Sequence, residues 1–506
     1  MKIKRKKSQF TKYIGFIPSP KVAAYFIGKI LDIDQTPFQP SYLELYIKKG
    51  YFKIQKGVKK ANANLFNRVP YIHHLQSQTL PRPATLFSPN YVCQRCQTTS
   101  ASQFIEFSCA KCNQICAYCR HCINMGRIAT CTKLITWEKP MRKSKSLLQT
   151  GPIIIQLDQH KLTWDGQLTM LQQKASKQLN TSLLQKKQHV VHAVCGAGKT
   201  ELLFQPIYNA LRKGERVCVA TPRTDVVLEL LPRFQQAFQQ TTIQALYGGA
   251  EQKGRYCSLV LATTHQLYRF ERAFDVVVVD EADAFPYTYD SALQQAVLKA
   301  KKSVAATALV TATPSNKILR AIERGEASYS FIPKRFHDHP LPVPRNESLW
   351  FYKRQFEKGH IPKKLKKWVQ EQIDQQRPFL LFFPTIQLME KSKPLFQNYW
   401  PSIESVHADD PNRKEKVLLL REEKVPGLMT TTILERGITI KNVQVAVIGA
   451  ENKIFEANAL IQIAGRVGRN KDYPSGDIVF YHHGITTEMD HAIRQIRKYN
   501  TKAEFK

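Results

Sequence analysis

The residues with the plainest chemistry are Lys199 and Thr200, which close the run Val191-His192-Ala193-Val194-Cys195-Gly196-Ala197-Gly198-Lys199-Thr200. Small residues there let backbone N–H groups approach an anion, and a helix starting at the end of the loop adds its dipole, so the loop is expected to cradle phosphates. Lys199 would reach the β- and γ-phosphates of a nucleotide, and the Thr200 hydroxyl would sit on Mg²⁺. Ala193, Val194, Cys195, Gly196, Ala197 and Gly198 form the rest of the expected cradle, with Ala193 standing where the usual pattern has its first glycine. The acidic run Asp280-Glu281-Ala282-Asp283 follows four valines. Asp280 is expected on the Mg²⁺ shell, and Glu281 where it can orient and deprotonate an attacking water. Gln462, Arg466 and Arg469 fall at i, i+4 and i+7, which on a helix is one face. Two arginines there can reach an anion across a cleft, as arginine fingers do, and a glycine before each favours close approach. Gln172, about 20 residues before the cradle, offers an amide matching the adenine edge, whose N6 donates and N7 accepts.

A second chemistry is metal binding by thiolates. Eight of the 11 cysteines lie between Cys93 and Cys131. Cys93-x2-Cys96 and Cys109-x2-Cys112 each follow an apolar or strand-like segment, as the two knuckles of a zinc ribbon do, and four thiolates close a tetrahedral structural site. The expectation is one zinc on Cys93, Cys96, Cys109 and Cys112. Cys116 and Cys119 are the alternative second pair, if Cys116-Ala-Tyr-Cys119 opens a helix. Eight cysteines also suffice for two ions.

Alternating helical and β-rich runs must position the first set, which is the pattern of an α/β fold with parallel sheets. Residues 190–194 read as a buried strand and 201–211 as a helix. Arg216–Arg223, Leu259–His265 and Ala308–Pro314 read as strands ending in hydroxyls or a cation, at the edge where open α/β sheets bind ligands. Val276–Val279 read as a central strand buried on both faces. A second unit begins after the proline-rich stretch 333–344, with strands at 378–383, 427–432 and 443–448. The divisions expected are a basic N-terminal region 1–88, a cysteine module 89–135, an ATP-binding lobe 136–335, a second lobe 336–490 and a basic tail 491–506.

Composition sets the partner class. The net charge is +35, and residues 1–150 hold 25 basic against 5 acidic side chains, so +20 of it lies in under a third of the chain. Such a surplus favours a polyanion, either nucleic acid or an anionic membrane surface. Tyr42–Ile47 and Tyr51–Ile54 alternate like strands, and Tyr42, Tyr46, Tyr51, Phe52, Phe66 and Tyr71 interleave with Lys48, Lys49, Lys53, Lys56, Lys59 and Lys60. That mixture suits stacked bases and held phosphates, or else a solvated basic face. No apolar run reaches the roughly 18 residues of a membrane span, and no apolar region follows the basic start. A cytosolic protein is expected, which also argues for metal over disulfides.

The ordered set Gln172, AVCGAGKT, ATPR, ATTH, DEAD, TATP, FFPT, TTTILERG and QIAGRVGR resembles the superfamily 2 helicases of the DEAD/DEAH type over about residues 172–470. The basic start, the cysteine cluster running into Cys116-Ala-Tyr-Cys-Arg-His-Cys-Ile-Asn-Met-Gly-Arg127, and Trp164-x-Gly166 resemble the ComFA family of late competence proteins of Gram-positive bacteria. The resemblance implies two RecA-like parallel-sheet lobes that use ATP, Mg²⁺ and Zn²⁺. It implies a motor on single-stranded DNA during natural transformation, peripheral to the uptake channel at the cytosolic face of the membrane. The partners it implies are the phosphoribosyltransferase-like ComFC and the recombination mediator DprA. One rival is a PriA-like replication-restart helicase, whose cysteines lie inside the motor, whereas these eight precede the cradle. Another is a nucleic-acid-stimulated ATPase that remodels a protein or RNA complex without translocating.

Overall fold

The computed structural model describes residues 18–60, 91–138, 142–144, 154–156, 159–250, 256–435 and 439–504. Seven short strands build the N-terminal part: β1 (Ile30–Asp32), β2 (Phe52–Lys56), β3 (Val58–Lys60), β4 (Tyr91–Cys93), β5 (Phe104–Cys109), β6 (Gln114–Cys119) and β7 (Lys133–Trp137). They pair as an antiparallel sheet β1-β7-β2 and as the antiparallel pairs β3–β4 and β5–β6. A parallel pair, β8 (Arg142–Ser144) and β9 (Ile154–Gln156), lies between this part and the first lobe in the chain.

The run 42–47, read from sequence as a strand, is a helix, Pro40–Lys48. Pro40 presets the first turn, and buried Leu43 and Tyr46 stand three apart on one helical face. The aromatics therefore serve a core. Tyr46 is 1% exposed and Phe52 6%, packed with Phe26 and Trp137, while Tyr42 stays outside at 43%. Phe66 and Tyr71 lie outside the described residues.

Two parallel sheets follow. The first lobe holds β10 (Gln188–Ala193), β11 (Val217–Thr221), β12 (Ile243–Leu246), β13 (Leu259–Thr263), β14 (Phe274–Asp280), β15 (Lys301–Thr311) and β16 (Ser328–Ile332), in the order β12-β13-β11-β14-β15-β10-β16. Val276–Val279 are fully buried between β11 and β15, as four consecutive valines demand of a central parallel strand. The second lobe holds β17 (Arg345–Ser348), β18 (Phe379–Phe382), β19 (Glu404–Val406), β20 (Gly427–Thr430), β21 (Gln444–Ile448) and β22 (Ile478–His482), ordered β17-β22-β21-β18-β20-β19.

One apolar cluster runs through both lobes, so they pack against each other. Residues 491–502 continue the helix Thr487–Lys502, whose Ile493, Ile496 and Tyr499 are buried. Its Tyr499 hydroxyl reaches His192 of β10 at 3.1 Å, and Asn500 bonds both backbone groups of Leu341. A second cluster joins Cys93, Cys96, Cys119 and Cys122 to Val277, Tyr268 and Leu293 of the first lobe. In packing terms, the cysteine module and that lobe share a core.

Candidate nucleotide cleft and cysteine clusters

β10 delivers the chain into the loop 194–200, and the helix Glu201–Arg212 leaves it. Gly196 and Gly198 sit at φ +80° and +71°, where a side chain would be strained. Cys195, Gly196, Ala197, Gly198, Lys199 and Thr200 line a cavity of about 530 Å³ between the lobes. Ala193 and Val194 do not. Both turn into the core, because Ala193 still belongs to the strand and Val194 donates its N–H to Ile332 O.

Asp280, Glu281, Gln462, Arg466 and Arg469 line the same cavity, so both lobes contribute to it. Burial, reinforced by the Glu281 charge and opposed by Lys199, pushes the Asp280 carboxyl up to about 6. Glu281 is held at φ +54°, a left-handed conformation that a non-glycine residue adopts only under constraint, and such outliers cluster at working sites. Asp280 and Thr200 offer hard oxygens to one cavity, a donor set that suits Mg²⁺. Asp283 accepts from Thr313 Oγ1 at 2.5 Å and from Gln462 Nε2 at 3.2 Å, joining the acidic tip to β15's end and to the second lobe.

Gln172 lies beneath the cradle. Its Nε2 donates to Ala197 O at 2.8 Å and its Oε1 accepts from Thr169 N at 2.7 Å, closing a capping box at the start of helix Met170–Leu184. Its amide is thus engaged with the phosphate loop as well as bordering the cavity.

The arginines are not on a helix. The helix Ala457–Ala464 stops at Gly465, and residues 465–468 form a turn in which Gly468 has φ +70°. A Cβ at Gly468 would come within 2.3 Å of Pro474 O, and one at Gly465 within 2.4 Å of Cys195 Cβ, so these glycines permit close approach rather than helical spacing. Arg466 is 3% exposed, and burial with the Arg469 charge lowers it to about 9. Its Nε donates to Glu435 O at 2.9 Å. The Glu435 carboxylate in turn pairs with Arg223 at 2.7 Å, and Arg223 also donates to Ile433 O. A second inter-lobe ion pair joins Arg413 to Asp225. The cation expected at β11's end therefore contacts the opposite lobe, while the Thr221 and Thr264 hydroxyls are buried.

The cysteines separate differently from the sequence expectation. Cys93, Cys96, Cys119 and Cys122 form one group; Cys109, Cys112, Cys116 and Cys131 form another. The pairing of Cys93 and Cys96 with Cys109 and Cys112 is thus corrected, and Cys122 and Cys131, left out of the candidate ligands, are drawn in. Cys116–Cys119 is not a helix either; it lies on β6, against β5. Strand side chains alternate, so residues three apart face opposite sides, and Cys116 and Cys119 enter different groups. Their Sγ atoms stand 3.8 Å (Cys93–Cys122), 3.7 Å (Cys96–Cys119), 3.7 Å (Cys109–Cys131) and 3.4 Å (Cys112–Cys116) apart. A tetrahedron with Zn–S bonds of about 2.3 Å has edges of about 3.8 Å. Arg95 backs the first group, donating to Cys122 Sγ and to the carbonyls of Cys122, Met125 and Gly126. Lys299 of the first lobe donates to Arg95 O, and His121 lies 3.2 Å from Asp290.

Residues 17–136 match the family model for the competence protein ComFA N-terminal domain, 169–321 the DEAD/DEAH box helicase model, and 362–471 the helicase conserved C-terminal domain. The competence protein ComFA of Bacillus subtilis is 42% identical over 414 residues, covering 82% of this chain and 86% of that protein. That of Streptococcus pneumoniae is 36% identical over 413 residues, covering 81% and 90%. The replication restart protein PriA of Rickettsia felis is 24% identical over 228 residues, covering 42% of this chain and 34% of that one.

Proposed function

Since the chain belongs to the ComFA family of competence proteins and is a helicase-type, nucleic-acid-binding ATPase, we propose that it translocates along single-stranded DNA to drive DNA import during natural transformation. The observation that carries this reading is the connection from β11's end to the nucleotide cavity: Arg223, Glu435 and Arg466 are bonded in series across the lobes. Ligands of open α/β sheets bind at strand C-terminal edges, so nucleic acid there would act on the contact that positions Arg466. Lys199 would stabilise charge on the transferring phosphoryl, Glu281 would orient and deprotonate water, and Arg466 and Arg469 would neutralise developing charge. Mg²⁺ on Thr200 and Asp280 would neutralise phosphate charge. DNA would meet the basic N-terminal region through its phosphates, giving binding that weakens steeply with salt.

We also assign one structural zinc to each cysteine group, on the support of the near-tetrahedral sulfur spacing. The family further suggests ComFC and DprA as partners and a peripheral position at the DNA-uptake channel. Among the described residues, no helix is long and apolar enough to cross a membrane.

The test compares ATPase rates with no nucleic acid, single-stranded DNA, RNA and duplex, then follows a surface-tethered protein on long and short DNA. Stimulation by single-stranded DNA with travel that scales with length supports the reading. Stimulation without travel assigns it instead to remodelling of a complex.

A further inference from the structure

The connector between the lobes carries an arginine that nothing in the motif pattern marks. Arg335 follows β16 by three residues and is 2% exposed. Its Nη1 donates to Gly468 O at 2.5 Å and to Pro474 O at 3.2 Å, and its Nη2 donates to Val467 O at 2.6 Å. Those carbonyls belong to the turn that holds Arg466 and to the segment folding back over it. His337 adds a contact of 3.0 Å to the same Gly468 O. On its other side the connector holds the phosphate cradle: Phe336 N donates to Gly196 O at 3.1 Å. The Arg335 stem also covers Gly196, with Cγ 3.6 Å from where a Cβ would stand.

Burying a guanidinium is costly unless it is well bonded. Here the two terminal nitrogens of Arg335 are bonded to three carbonyls while its Nε is buried without a partner, at the join between the loop that would hold the phosphates and the turn that would supply the arginines. We propose that Arg335 is a positioning residue for ATP hydrolysis, fixing the 465–468 turn against the cradle so that Arg466 and Arg469 address the transferring phosphoryl group. The proposal rests on the reading of those two arginines as acting across the cleft. Arg335 does not line the cavity itself, whereas Phe336 does. It acts through the turn, whose carbonyls it holds in place.

The experiment uses the full chain with Arg335→Met, Arg335→Lys, Arg466→Ala and the double variant Arg335→Met/Arg466→Ala. Steady-state ATPase, equilibrium binding of a fluorescent ATP analogue and thermal unfolding are measured on each. A displacement of about 1 Å at a reacting centre costs on the order of 100-fold in rate. Arg335→Met should therefore lower kcat by roughly 10- to 100-fold while KM and analogue affinity stay within about threefold. Arg335→Lys, with its charge and a reach to one carbonyl, should recover part of the rate. The double variant should lose less than the product of the two single losses, because with Arg466 gone Arg335→Met acts only through Arg469. Wild-type kcat in Arg335→Met overturns the proposal, and so does a double variant whose losses multiply. If Arg335→Met does not fold, Arg335→Lys carries the test, with slowed turnover at retained affinity expected and wild-type turnover overturning it. A rate unchanged by Arg466→Ala would instead sink the arginine assignment on which the proposal stands.

Discussion

The ion pair between Arg223 and Glu435 gives the sharpest quantitative expectation. Arg223 opens the helix after β11 in the first lobe, and Glu435 ends the turn after β20 in the second. Their closest atoms are 2.7 Å apart, and the side chains are only 16% and 10% exposed. At an effective dielectric near 20, two charges about 4 Å apart attract by about 4 kcal/mol. Desolvation offsets part of this, leaving about 1.5–3 kcal/mol for a charge-assisted contact of this type. Glu435→Gln keeps the shape and removes the charge. If closure is needed for turnover, it should lower the basal ATPase rate by roughly 10- to 100-fold, following the tenfold change per 1.4 kcal/mol or so. The assay is a double-mutant cycle of Arg223→Gln, Glu435→Gln and the pair, scored on basal kcat/KM without nucleic acid so that loss of DNA contacts does not intrude. A coupling of about 1–3 kcal/mol is expected, little changed by added salt because the pair is mostly buried. Additivity within about 0.5 kcal/mol, or a wild-type rate in Glu435→Gln, would refute the argument that this contact holds the cleft closed.

Lys199→Ala should nearly abolish turnover, whereas Glu281→Gln should bind ATP and hydrolyse it poorly; near-normal hydrolysis in Lys199→Ala would remove the phosphate-cradle assignment. Metal analysis should find two zinc ions per chain, with Cys119→Ser and Cys131→Ser each losing one. Only Cys119→Ser should also lower the unfolding midpoint of the first lobe, since its group packs into that lobe's core. The opposite order would reverse the assignment of the inner group. His189, buried between Ser182 and Ser330 hydroxyls, is held down at about 4. Its folded value lies below its ordinary one, so the unfolded chain takes up the proton first and stability falls as pH drops from about 6.5 toward 4, by up to about 3 kcal/mol. His189→Asn should flatten that part of the stability–pH curve, and an unchanged slope would show that other groups govern it.

Much of the cleft was legible in the chain because its parts are local. A glycine loop between strand and helix, or an acidic tip on four valines, needs only neighbours in sequence to take its shape. Such runs assign themselves wherever the fold places them. What sequence spacing could not decide was anything set by which side of an element a residue faces, or by what approaches from elsewhere. Cys116 and Cys119 looked like one metal pair because knuckles are counted along the chain. On a strand their odd separation sends them to opposite faces and into different groups. Arg466 and Arg469 looked helical by periodicity, but the helix ends at Ala464 and a turn closed by Gly468 at φ +70° carries on beneath Pro474. Tyr42–Ile47 alternates well enough for a strand, yet the Leu43–Tyr46 face finds a core and Pro40 starts a helix. Arg335 carries no pattern at all. Its role arises only where three carbonyls from residues 467–474 converge on it, more than 130 positions along the chain. The sequence by itself determined the reactive groups and, around the phosphate loop and the acidic tip, the strands and helix that bear them. Their grouping into clusters, and the closing of one lobe on the other, were decided by tertiary contacts, because burial and charge pairing act between residues that the chain holds far apart.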